Sequence, residues 1–225
     1  MLGQNIKNLL KKKRKVIAYW ITNYDFVTLE IVLKMNKFDC FVVDMEHSSI
    51  SFRELEKIIL LVDAFKKAVL VRIEKNDEKQ ISKILDLGAS GIIAPNINSK
   101  KDLKLLIDSI FYPPKGNRGV GLSRSSNHGT SFDTYYKKFN KSVIIIPMIE
   151  NIKALNELND ICSSKDIDGI LIGPYDLSAS LNIVGKTDSL KFKKVIQVIL
   201  NSAKKNNLSC GLHLVHLKDQ KKIKI

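Results

Sequence analysis

The sequence predicts an α/β protein of the (β/α)8-barrel class, and three observations predict it. Seven short apolar runs recur along 225 residues, amphipathic stretches of helix length lie between them, and polar residues sit repeatedly at the C-terminal ends of the runs. Nearly continuous apolar runs suit parallel strands covered on both faces. Their alternation with helices points to βαβ units. Seven strands in one domain-sized chain favour a barrel over an open doubly wound sheet. The G-x-G-x-x-G pattern of a dinucleotide fold is also absent after the first run.

In chain order the runs are VIAYWIT (16–22), CFVVDME (40–46), AVLVRI (68–73), SGIIAPNI (90–97), SVIIIPMIE (142–150), DGILIGPYDL (168–177) and CGLHLV (210–215). The stretch before them, NIKNLLKKK, reads as a helix whose C-terminal dipole favours the cations of KKKRK (11–15). SFRELEKIILLVDAF, EKQISKILDLG and NIKALNELNDIC read as amphipathic helices, the first opened by an S-x-x-E capping box at Ser51 and Glu54. The tail HLKDQKKIKI (216–225) reads as the beginning of a helix. No repeat or Pro/Gly-rich linker divides the chain, so residues 1–225 are expected to form a single barrel domain. A closed barrel wants eight strands, and the eighth strand and final helix are missing from this count. Either a partner or a rearranged tail covers the exposed edges, or the product is truncated.

Composition narrows the function classes. At 44% hydrophobic and 27% charged, the chain is ordinary globular protein. Its three cysteines, Cys40, Cys162 and Cys210, are far apart with no CxxC pair. A disulfide framework or zinc knuckle is therefore not expected, and a reducing cytosol is. No apolar stretch is long enough for a membrane span, and no signal-peptide pattern opens the chain. A cytoplasmic protein without a membrane partner is expected. The net charge of +14 suits anionic partners, yet the lysines are dispersed and no nucleic-acid module carries them. Nucleic acid ranks last.

In a (β/α)-barrel, polar residues at the C-terminal ends of strands point at the active site. Val42, Asp44 and Glu46 share one parity, so one face of the second run turns from apolar to acidic, with His47 beyond it. Arg72 lies near the end of the third run, Glu150 ends the fifth, Asp176 follows the Gly-Pro turn of the sixth, and the seventh carries His213 and, at its edge, His216. Any one of these carboxylates could be a helix N-cap or a solvated loop residue; their convergence at one end is what suggests a site. Two carboxylates, Glu150 and Asp176, suit a hard divalent cation. A histidine beside Asp44 can act as general base, and an arginine can hold a carboxylate or support a developing oxyanion. The set suits the making of an enolate. GLSRSS is not G-x-S-x-G, and no strand lysine suggests a Schiff base; Lys115 falls in a loop.

The motifs DMEH (44–47), VR (71–72), LDLGASGIIAP (85–95), YPPKGNRGVG (112–121), MIE (148–150) and DGILIGPYDLSASL (168–181) together resemble the HpcH/HpaI aldolase family. These are class II, metal-dependent pyruvate aldolases, and the resemblance runs over roughly residues 5–215. It implies a (β/α)8 barrel of the phosphoenolpyruvate/pyruvate-domain type that cleaves 4-hydroxy-2-oxoacids to pyruvate and an aldehyde. It also implies a divalent metal (Mg2+, Mn2+ or Co2+) and a homo-oligomer, a hexamer of swapped dimers. By motif match His47 is the general base, its basicity raised by Asp86 and Asp44, and Arg72 stabilises the enolate. Glu150 and Asp176 are the metal ligands, with Glu46 touching the metal's waters, and Tyr175 contacts the substrate. Met148 stands where the family has a substrate-contacting Gln, replacing an amide with a soft apolar side chain.

Two other readings stay open: oxaloacetate decarboxylation or citrate-lyase-like acyl-CoA cleavage by the same enolate chemistry, and a truncated barrel kept as a non-catalytic binding protein.

Overall fold

The computed structural model describes residues 2–214. His216 and the helix expected over 216–225 lie outside them. Seven strands form one parallel sheet in chain order: β1 (Ala18–Ile21), β2 (Cys40–Asp44), β3 (Ala68–Arg72), β4 (Gly91–Ala94), β5 (Ile144–Ile149), β6 (Gly169–Ile172) and β7 (Ser209–Leu212). Six lie within the apolar runs, and β7 begins one residue before the seventh, at Ser209. Around them stand α1 (Leu2–Lys11), α2 (Phe26–Lys34), α3 (Phe52–Ala64), α4 (Glu78–Asp86), α5 (Lys100–Ile110), α6 (Phe132–Ser142), α7 (Leu158–Cys162), α8 (Pro174–Ser180) and α9 (Leu190–Lys205).

Two local readings are refined. CFVVDME stops pairing at Asp44, because the Asp44 carboxylate accepts the N–H groups of Glu46 and His47 and turns the chain out of the sheet. NIKALNELNDIC divides into a 3-10 segment, Ile152–Glu157, and α7. Asn151 caps that segment, its side chain accepting from the Lys153 N–H, so Glu150 is left free of a capping role. The predicted capping box at Ser51 and Glu54 is present at α3.

Strand alternation sorts the core into two layers. Phe41, Val43, Val69, Val71, Ile92, Ile145, Ile149, Ile170 and Ile172 pack outward against the helices. Cys40, Val42, Ala68, Leu70, Ile93, Ile144 and Met148 cluster on the other face, inside the curl of the sheet, together with Ile6 of α1. Helix α1 therefore plugs the N-terminal end of the curl. Beside Ile6, Lys7 donates to the Val143 carbonyl at 2.7 Å and pairs with Asp168 at 3.3 Å. Gly3 admits the close approach, since a Cβ there would lie 2.5 Å from the Ser142 carbonyl oxygen.

At the two edges the curl nearly closes. Trp20 of β1 stacks on His213, just past β7, with ring centroids 4.4 Å apart. No backbone pairing joins β1 to β7 among the described residues.

Candidate active site

The inner parity that buries Val42 and Leu70 carries forward to Asp44 and Arg72, which are register partners on β2 and β3. Both are buried, where an unpaired charge would be costly, and they satisfy each other. Arg72 Nε donates to Asp44 Oδ1 at 2.9 Å and Nη2 to Oδ2 at 2.5 Å, a bidentate pair. Burial pushes the Asp44 carboxyl up, but the Arg72 hydrogen bonds and the His47 and Glu46 amides outweigh it and hold Asp44 below its ordinary value. Burial likewise lowers Arg72, and Asp44 more than restores it. The guanidinium also meets Glu46 Oε2, 3.1 Å from Nη1, and lies 5.2 Å from the Trp20 ring centre. The indole Nε1 reaches Asp44 Oδ2 at 3.5 Å.

His47 tops this cluster on the turn, its side chain 63% exposed and its Nε2 3.9 Å from Glu46 Oε2. Asp44 holds the backbone of His47, by an N–H···Oδ1 bond of 3.2 Å. Asp86 is placed elsewhere: its Oδ1 accepts from Arg118 Nη2 at 2.6 Å. Arg118 is buried between the Tyr112 and Phe139 rings, at 4.7 and 4.5 Å. Asp86 therefore fastens the YPPKGNRG loop. Lys115 of that loop pairs with Asp166 at 2.5 Å.

Glu150 follows β5 and is buried. One oxygen accepts the Asn96 N–H at 2.7 Å; the other faces Gly173, where a Cβ would come within 2.6 Å of it. Burial pushes the Glu150 carboxyl up to about 7; the Asn96 N–H opposes this, and the neighbouring Glu46 and Asp176 charges add to it. Asp176 lies in the first turn of α8, inside the helix and not at its cap, which is Gly173. Met148 is buried beside Gly173, its methyl 3.3 Å from where a Cβ would stand, and Tyr175 is exposed at the mouth. Asp44, Glu46, His47, Arg72, Met148, Glu150, Tyr175 and Asp176 thus share one end of the sheet, while Asp86 stands apart with Arg118.

Three contributors escape sequence reasoning. Trp20 sits in an apolar run without a distinguishing mark until its register with Val42 turns it inward. Asn96 acts through its backbone, held at a φ of 55° that asparagine tolerates. Gly173 acts by lacking a side chain.

The donor set fits a hard divalent cation. Glu46 Oε2 is buried with no hydrogen bond and only the Arg72 ion pair as a partner, and burial together with mutual repulsion disfavours charge on Glu150; a cation would relieve the repulsion between these carboxylates. Among the described residues no three His, Cys, Asp or Glu side chains form a ready cage. A cation held by Glu150 and Asp176 would leave its other positions to water or substrate, as Mg2+ commonly does. Among the described residues no helix is long and apolar enough to cross a membrane.

Comparison with known proteins gives a consistent frame. The 5-keto-4-deoxy-D-glucarate aldolase of Escherichia coli K12 is 29% identical over 206 residues, covering 92% of this chain and 80% of that protein. An HpcH/HpaI aldolase/citrate lyase family protein from Burkholderia cenocepacia J2315 superposes with a TM-score of 0.92 at 21% identity, covering 97% of this chain and 88% of the other. The HpcH/HpaI aldolase of Desulfitobacterium hafniense DCB-2 does so at 0.85 and 25%, covering 96% and 85%. The sequence model of the HpcH/HpaI aldolase/citrate lyase family matches residues 20–223, a span that takes in Trp20 and every strand-end residue described above. By that match, this chain belongs to the HpcH/HpaI aldolase/citrate lyase family.

Proposed function

We propose that this chain is a divalent-metal-dependent aldolase that cleaves a 4-hydroxy-2-oxoacid to pyruvate and an aldehyde. The observation that carries the reading is the buried Asp44–Arg72 pair facing the carboxylates of Glu46 and Glu150. It offers a permanently charged fork beside an anionic, cation-seeking wall. Glu150 and Asp176 would hold Mg2+, Mn2+ or Co2+, with Glu46 reaching it through water. Such a cation supplies Lewis-acid polarisation of a 2-oxo group.

The protein's own groups do the rest. Arg72 directs N–H donors at the oxygen on C2, with Tyr175 and Asp176 bordering the oxoacid and Met148 giving it an apolar floor. His47, aimed by the Asp44 bond to its N–H, takes the proton of the C4 hydroxyl. The O–H electron pair becomes the aldehyde C=O as the C3–C4 bond breaks. The electrons of that bond form C2=C3 and leave negative charge on the C2 oxygen, where Arg72 stabilises it. The imidazolium then protonates C3, giving pyruvate and restoring His47. Asp86 serves this reading through Arg118, by fixing the 112–121 loop.

The frame we infer is of the (β/α)8-barrel, phosphoenolpyruvate/pyruvate type, with seven of its strands among the described residues and its eighth strand and final helix not among them; the strand order and the approach of β1 and β7 at Trp20 and His213 support the curl. A homo-oligomer fits the exposed Val27 and Ile31 of α2 and Met35 at its C-cap. Pyruvate release from a panel of 4-hydroxy-2-oxoacids, with Mn2+ and a lactate dehydrogenase couple, tests the activity. Turnover of at least one is expected; none, in protein shown to be folded, overturns it.

A further inference from the structure

Trp20 occupies an unusual place. It lies on an edge strand of the described sheet, yet its indole is held on several sides by groups from two other strands and from the residue just past β7. Arg72 of β3 lies over the ring, Asp44 of β2 accepts from Nε1, and His213 after β7 stacks against it at 4.4 Å with planes 20° apart. The stack spans the gap between β7 and β1, where among the described residues no backbone hydrogen bond does. The charged groups that act on the imidazole are Arg72 and Asp44; burial, then Arg72, disfavours its protonation. A neutral imidazole is the form that stacks without repelling the guanidinium.

We propose that His213 is a positioning residue: stacked on Trp20 between β7 and β1, it holds the indole against Arg72 and so fixes the direction in which the guanidinium meets substrate. Asp44 restrains Arg72 in the plane of its fork, and the indole face restrains it out of that plane. Among the described residues no strand lies beyond the indole to limit its swing once His213 is gone. The kinetic consequence rests on the aldolase reading; the stack itself does not.

Trp20 is the chain's only tryptophan, so tryptophan fluorescence reports this indole and its surroundings. In the full-length, metal-free protein, wild-type emission should fall as pH is lowered through the imidazole titration, because an imidazolium quenches an adjacent indole. His213→Phe and His213→Leu should both lose that step, while any change from Asp44 or Glu46 persists in them. A wild-type profile indistinguishable from His213→Leu overturns the stack, whatever the activity. With Mn2+ and substrate, His213→Leu should lower kcat about three- to tenfold with KM little changed. His213→Phe, which keeps a flat ring, should recover to within about twofold. Equal kcat in all three, or His213→Phe as slow as His213→Leu in equally folded protein, overturns the positioning role. Should the wild type release no pyruvate, the aldolase reading falls, and affinity for oxalate, a planar enolate mimic, read by Trp20 emission replaces the kinetic arm. Weaker oxalate binding in His213→Leu alone then supports the positioning role; equal affinity in all three, or no binding even by the wild type, overturns it.

Discussion

Asp44 and Arg72 face each other as register partners on neighbouring strands and meet through two parallel hydrogen bonds of 2.9 and 2.5 Å. The pairing lets a full positive charge stand at the end of an otherwise apolar strand, and it ties the site to two hydrogen-bonded neighbouring strands. Arg72→Lys keeps the charge but cannot fill both carboxylate oxygens in the same plane. We expect kcat/KM for 2-oxoacid cleavage to fall by about 100-fold or more, the loss typical of one transition-state donor. A Lys variant within threefold of wild type in the coupled assay would remove Arg72 from the mechanism.

Glu150 predicts a pH dependence of the metal-free protein. Its carboxyl is raised from the ordinary value to about 7 in the folded chain, chiefly by burial. The folded state therefore binds a proton more readily than the unfolded state, and stability falls as pH rises from the ordinary glutamate range to about 7. Glu150→Gln removes that loss. In chelated protein, melting should show the variant more stable than wild type above neutrality, by on the order of 1–3 kcal/mol, with the advantage shrinking toward pH 5. A difference independent of pH would contradict the assignment.

Gly173→Ala tests the cation site by shape alone. The backbone there has an ordinary φ of −91°, so alanine is not strained. Its Cβ, however, would stand 2.6 Å from Glu150 Oε2 and 2.9 Å from Glu150 Cβ. Glu150 must shift, and Mn2+ affinity by calorimetry should drop at least about tenfold, the cost of disturbing a ligand's setting. Unchanged affinity would separate Glu150 from the metal.

The plug predicts a strongly non-additive pair. Lys7→Met leaves Asp168 buried without its cation and should cost about 3–5 kcal/mol in denaturant unfolding. Asp168→Asn keeps an oxygen for the Ile145 N–H, which Asp168 accepts at 3.0 Å. Combined with Lys7→Met it should return most of the loss. Additive effects would show that the two residues act separately.

The legible part of the site is the part written into strand parity. Asp44, Arg72 and Glu150 each end an apolar run on its inward face, and such a charge must meet partners at the strand end. Seven strands in chain order follow from the same runs. What cannot be read is pairing across distance. Asp86 is a carboxylate at the end of a helix, and periodicity cannot choose between His47 and Arg118 as its partner; burial of Arg118 between two rings decides it. The Asn96 N–H leaves no trace in its side chain, and the Trp20–His213 contact exists only because the sheet curls far enough to bring its edges together.

Helix α1 has a further consequence, for the order of events during synthesis. Lys7 leaves the ribosome 136 residues before the carbonyl it binds at Val143, and Asp168 follows later still. At ordinary elongation rates that interval is on the order of 10 s. For that time an amphipathic helix and a half-built curl coexist without the Val143 and Asp168 contacts that fasten them. Their final docking is a long-range closure, and its entropy cost is met only when β5 and β6 are in hand. A chain stalled before β6 would therefore carry α1 as an exposed, sticky end, the feature by which a cell's quality control could tell an unfinished copy from a finished one.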